Sequence, residues 1–149
     1  MNLMIKNLPI MLFIFACSFS SCSKEDTIEI PFAEYSLFET GCMWTNVDPN
    51  KVVIINNNNE LEKHIICTYS TYSDVDFSEH TLLLVRGPLS VHVFSAENVT
   101  FLKKASQRYT IKIKSSRITT TGKSSARFFA ILVPKLSNKA TIKLDIQFL

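Results

Sequence analysis

Glycine is scarce, with three residues among 149. That leaves no room for a Gly-rich loop to cradle phosphates, and no Gly-x-Ser-x-Gly elbow presents a nucleophilic serine. Histidine is equally sparse. His64, His80 and His92 are scattered, and none has a second histidine or a carboxylate at chelating spacing on a predicted helix, so no metal site is expected. His80 follows Asp76 and Glu79 on a predicted turn, where adjacency reads as ordinary surface chemistry. Asp74, Asp76 and Ser78 alternate like the opening of a calcium loop. Glu79, however, stands in place of its turn glycine, and Val85 in place of its closing glutamate. These absences remove every recognisable catalytic constellation: the sequence predicts no enzyme, no catalytic residue and no cofactor.

Negative charge is missing from one half of the chain. From Asn98 to Leu149 eleven basic residues stand against Asp145 alone, whereas Cys22 to Glu97 carries twelve acidic and four basic residues. Such a split fits either an acidic half folding against a basic half or an anionic partner. Long apolar runs are also lacking. Leu8 to Ala16 is apolar, but a bilayer-spanning helix needs about 20 such residues. With Lys6 before it, this run reads as a secretory signal.

The signal ends in Phe19-Ser20-Ser21-Cys22, which resembles a bacterial lipobox with Phe19 in place of the commoner leucine. The resemblance implies cleavage before Cys22 and a diacylglycerol on its sulfur. Ordinary cleavage would leave a soluble secreted protein, and a box ending at Cys17 would place bulky Phe15 badly. Ser23-Lys24-Glu25-Asp26 looks like the export signal of Bacteroides-type surface lipoproteins, and Asp26-Thr27-Ile28 resembles their O-glycosylation acceptor, with Thr27 as the modified residue. The expected organisation is a signal peptide over 1–21, a lipidated cysteine and flexible tether over 22–30, and a globular domain over 31–149. The expected location is the outer membrane, exposed at the cell surface through the lipid.

Cys42 and Cys67 remain after processing. Outside the cytoplasm pairing is the default, with zinc as the rival reading. Their separation of 25 positions would give a disulfide worth roughly 3.5 kcal/mol in loop-closure entropy.

Patterning predicts an α+β fold, a single compact domain with a mostly antiparallel sheet and one short helix. Val52-Val53-Ile54-Ile55 reads as a buried strand, followed by a helix over Asn58 to Ile66 capped near Asn57. Further strands are expected at Thr81 to Val85, Leu89 to Phe94 and Val99 to Leu102. Arg108 to Lys114 alternates, with Tyr109, Ile111 and Ile113 on one face. Phe128 to Val133 is apolar throughout, as in a central strand covered on both faces. Ala140 to Phe148 alternates again.

Cys42-Met43-Trp44-Thr45-Asn46, Val53-Ile54-Ile55-Asn56, Val75 to Leu84 and Val133-Pro134-Lys135-Leu136 resemble small uncharacterised lipoproteins of Bacteroides-type bacteria. Asp76-Phe77-Ser78 entering a Leu-rich strand is also distantly similar to PrcB C-terminal-like domains, although Arg86-Gly87-Pro88-Leu89 replaces their Thr-Gly-Gly-Tyr-like turn. The first resemblance implies fold and address only. The second implies an inhibitor or stabilising partner of an extracellular protease.

Two features point to a ligand. Trp44, the single tryptophan, would stack a sugar or peptide or else pack over the disulfide, and the second is favoured. Arg108, Lys112 and Lys114 share one strand face, and Lys139 and Lys143 belong to the last strand. If these strands are neighbours, a cationic stripe results that could meet anionic glycan, acidic protein or lipid headgroups. Nucleic acid is not expected, because that face lacks aromatic platforms. The sequence therefore predicts a non-catalytic binding or envelope-assembly module with a surface protein or glycan as ligand.

Overall fold

A computed structural model describes residues 26–69, 71–87, 99–115 and 128–148. The expected signal, Cys22, and the expected strand 89–94 with His92 lie outside the described residues.

Strand β6 (His80–Arg86) shows how the sequence sorts itself into layers. Thr81 to Val85 are all buried, and a strand turns successive side chains to opposite faces. Leu83 and Val85 therefore enter one core, Leu82 and Leu84 another. Strand β4 (Val52–Ile55) and strand β9 (Phe128–Pro134) divide in the same way: Ile54, Phe129 and Ile131 face the first core, Ile55 and Ala130 the second. The expectation of a Phe128–Val133 strand covered on both faces matches this arrangement.

These strands form one sheet in the order β2-β9-β6-β4, with β2 (Ala33–Glu34) at its edge. The facing sheet has the order β1-β7-β8-β10, from β1 (Ile28–Glu29), β7 (Val99–Ala105), β8 (Arg108–Ser115) and β10 (Thr141–Phe148). Val99, Phe101, Ile111 and Ile113 fill the first core from that side. Each such side chain contributes about 1.5–3 kcal/mol by leaving water. Behind the other sheet, the second core is closed by a ribbon of β3 (Cys42–Trp44) and β5 (Ile65–Cys67) and by helix α1 (Asn58–Leu61). Among the described residues the protein is mostly β, with one short helix and mostly antiparallel sheets.

Three details depart from the sequence reading. First, β8 and β10 pair in parallel, from Thr141 beside Arg108 to Phe148 beside Ser115. The chain leaves β8, passes along β9 in the opposite sheet and returns, so β10 arrives in the same direction as β8. Second, the expected tether 22–30 overlaps the fold: Ile28 and Glu29 pair with Lys103 and Leu102, and the Ile30 amide donates to the Phe101 carbonyl at 2.8 Å. The Ile28-Glu29-Ile30 alternation suits an edge strand, and Ile30 packs against the first core. Third, the helix expected through Ile66 stops early. Asn57 caps it by accepting from the Glu60 amide at 2.9 Å, but a 3-10 turn over Glu62–His64 ends it, and Ile65–Cys67 is strand. Two adjacent β-branched residues favour extended backbone, and Cys67 is held opposite Cys42.

Candidate functional site

The β7–β8 hairpin turns through Ser106 and Gln107, where Gln107 takes a left-handed φ of 63°. Its register shifts between Lys103 and Ala105, opposite Tyr109 and Arg108. Such a bulge re-aims a side chain next to a turn. Across the sheet, the Gln107 carbonyl accepts from the Thr141 amide at 2.8 Å and from the Thr141 hydroxyl at 3.4 Å, fixing the start of β10 beside β8.

The result is a cleft of about 320 Å³ lined by Lys104, Arg108, Tyr109, Thr110, Thr141, Ile142 and Lys143. Thr110 is 2 % exposed, so it lies deep; Arg108, Thr141 and Lys143 are exposed. Three cations and two threonine hydroxyls thus surround a hollow with no carboxylate among its described lining residues. The Thr141 hydroxyl is turned to the Gln107 carbonyl, so the cations supply both charge and donors, and the hollow is suited to one carboxylate, sulfate or phosphate group.

The five cations expected to form a stripe are placed unevenly. Arg108 and Lys143 meet in the cleft. Lys112 lies one step along, beside Asp145 on β10 and Thr100 on β7, and Lys114 lies beside Gln147. Asp145 therefore interrupts the stripe. Lys139 stands exposed in the turn before β10, its amide donating to Ser137 Oγ at 3.2 Å. Lys104 completes the cleft and was missed by the sequence reading. The signal for it was the short turn between Lys103-Lys104 and Arg108, since a hairpin returning there brings both basic ends together.

Cys42 and Cys67 form a disulfide between directly opposed positions of β3 and β5. Trp44, two residues on, is half-buried and packs 5.9 Å from the Tyr35 ring against the second core. The Tyr35 hydroxyl donates to the Ser73 carbonyl at 2.6 Å, and burial, with Tyr72 and Asp74 nearby, pushes its pKa up to about 12. A second hollow of about 570 Å³ lies beside these residues, with Phe38, Met43 and Phe128 among its walls.

Asp76 accepts from the Ser78 amide at 2.9 Å and the Ser78 hydroxyl at 2.6 Å, while its carbonyl accepts from the His80 amide. The Ser78 hydrogen bonds hold its carboxyl below the usual range. This is a capped turn launching β6. His64 Nδ1 lies 3.4 Å from the Thr45 carbonyl, within the ribbon's support. Among the described residues no group of three or more His, Cys, Asp or Glu could hold a metal, and no helix is long and apolar enough to cross a membrane. Thr27 is exposed, one residue before β1. Comparison with protein-family models, with curated proteins and with solved structures finds no match for this chain.

Proposed function

We propose that this chain is an exported lipoprotein, lipidated on Cys22 and held at the outer surface of the outer membrane. A short tether, with Thr27 as a glycan acceptor, leads to a single α+β domain that binds an anionic surface glycan without catalysing a reaction. One observation carries the binding part: Lys104, Arg108 and Lys143 converge on one cleft with threonine hydroxyls and no described carboxylate in its lining. The lipobox resemblance at Phe19-Ser20-Ser21-Cys22 carries the address. A lipid anchor keeps the cleft close to the envelope, where acidic polysaccharide is concentrated and multivalent attachment compensates for weak single sites.

The test is retention on an immobilised polyuronate. Lys104→Gln with Arg108→Gln should weaken binding of the folded protein at least about tenfold, and added salt should weaken the parent because the cleft is open to solvent. Retention that is unchanged by both would sink the reading. For the address, Cys22→Ala should abolish acyl-lipid labelling and release the protein from cells; persistent labelling would refute it.

A second reading, an inhibitor or stabilising partner of an extracellular protease, draws on the ribbon. There Met43 and Ile66 sit side by side and exposed, braced by the disulfide. Exposed apolar pairs on a rigid support favour protein contacts. Surface crosslinking that recovers no protease would remove it.

A further inference from the structure

Strand β10 is the outermost strand of its sheet, with β8 on one side and no neighbour on the other among the described residues. From Thr141 to Gln147 this is a long edge, and an edge of that length is a template for another strand. The direction of its free backbone groups follows from one hydrogen bond. The Thr141 amide points at the Gln107 carbonyl, so Thr141, Lys143, Asp145 and Gln147 direct their N–H and C=O groups toward β8. Ile142, Leu144 and Ile146 direct theirs outward.

We propose that this edge pairs with the same edge of a second copy of the chain, antiparallel and centred on Leu144. In that register Leu144 stands opposite Leu144 of the second copy, exchanging two backbone hydrogen bonds, and Ile142 stands opposite Ile146. Between them Lys143 stands opposite Asp145, and by symmetry this happens twice. The charge pattern selects the register. Sliding by one pairing step in one direction sets Asp145 against its own copy, and sliding in the other sets Lys143 against its own copy. Like charges directly opposite destabilise a strand pair, whereas opposite charges stabilise it. Apolar residues stay on the core-facing side, where Ile142, Leu144 and Ile146 are half-buried in the single chain.

The partner is therefore self, and the product is one continuous eight-stranded sheet. The two-fold axis of an antiparallel strand pair is perpendicular to the sheet, so the cationic clefts of both copies open on the same side. The pairing does not depend on the ligand reading; its test alters the cleft residue Lys143 and is therefore read as self-association, not as ligand retention.

Single cysteines introduced into the full-length chain on cells read the register directly. Leu144→Cys should give an oxidised dimer on a non-reducing gel, whereas Lys143→Cys and Asp145→Cys, whose like positions do not meet, should stay at the level of the parent chain. Equal crosslinking at 143 or 145 would overturn the proposed register. Because Leu144 contributes to the core, a second measurement uses charge alone. Lys143→Asp should weaken self-association about tenfold in sedimentation, by turning two attractions into two repulsions, and the exchange Lys143→Asp with Asp145→Lys should restore it. A parent chain that sediments as a monomer throughout, or an exchange as weak as the single reversal, would refute the proposal.

Discussion

Thr81→Val tests how β6 is locked to the end of β4 and to the loop that follows β9. Thr81 is fully buried, and its hydroxyl does two things at once. It donates to Asn56 Oδ1 at 2.7 Å and accepts from the Leu136 amide at 3.0 Å. Valine keeps the shape and removes both bonds. The Leu136 amide is then buried without an acceptor, which costs about 1–3 kcal/mol, and the half-exposed Asn56 oxygen loses a donor worth about 0.5–1 kcal/mol. The expected loss is about 2–3 kcal/mol. Thr81→Ser keeps the hydroxyl and deletes one buried methyl, for about 0.8 kcal/mol. Urea unfolding at equilibrium, with the Cys42–Cys67 disulfide intact, measures both variants. A valine variant within about 0.5 kcal/mol of the parent, or no worse than the serine variant, would refute the assignment of the hydroxyl as the lock. Lys135 offers an internal comparison, because its ammonium also ties this loop to the Asn56 and Phe77 carbonyls, at 3.2 and 2.5 Å, but does so at the surface.

Removing the disulfide by Cys42→Ala with Cys67→Ala should cost about 3.5 kcal/mol through the 25-residue separation; a loss below about 1 kcal/mol would mean that packing alone holds the ribbon. Gln107→Gly should stabilise the protein by about 0.5–1 kcal/mol in thermal unfolding, because a side chain at φ 63° is disfavoured there. A loss would show that the Gln107 side chain matters more than its backbone. Tyr35 predicts an alkaline limb. Its pKa is raised from 10.0 to about 12 in the fold, so its stabilising contribution is complete below pH 10 and is lost as pH rises toward 12. Tyr35→Phe should flatten that limb while weakening the fold at neutral pH through loss of the bond to Ser73, and an unchanged limb would assign it to another group.

Strand identity was legible wherever period or composition was strong. Val52 to Ile55, Thr81 to Val85, Arg108 to Lys114, Phe128 to Val133 and Ala140 to Phe148 read as strands, and the strands found agree to within one residue at either end. Their partners were not legible. Alternation says which side of a strand is buried, but nothing in it says that β9 crosses to the opposite sheet between β8 and β10. That route makes the β8–β10 pair parallel. Short pieces were also hidden. Two-residue strands such as β1 and β2 are too short for alternation to stand out, and Ile65 and Ile66 read as the end of a helix because Leu61, His64 and Ile65 mimic helical spacing.

The candidate site was legible in the same partial way. Reading Arg108 and Lys143 onto outward faces followed from alternation, whereas joining them needed the strand partnership. Lys104 required still more, since a bulge breaks the alternation that would have assigned its face. Asp145 shows the opposite case. It was counted as the one acid in a basic half, although its position beside Lys112 divides the basic surface into two parts. Local pattern fixes the face of a residue, and register fixes its company. A charged surface read from sequence should therefore be judged by the pairs it forms across strands, and by that criterion Arg108 and Lys143 stand beside uncharged Thr141 and Thr110, while Lys112 stands beside Asp145. The same criterion gives β10 its dual character: Lys143 serves the cleft from the face of the sheet, and with Asp145 it sets the register along the edge.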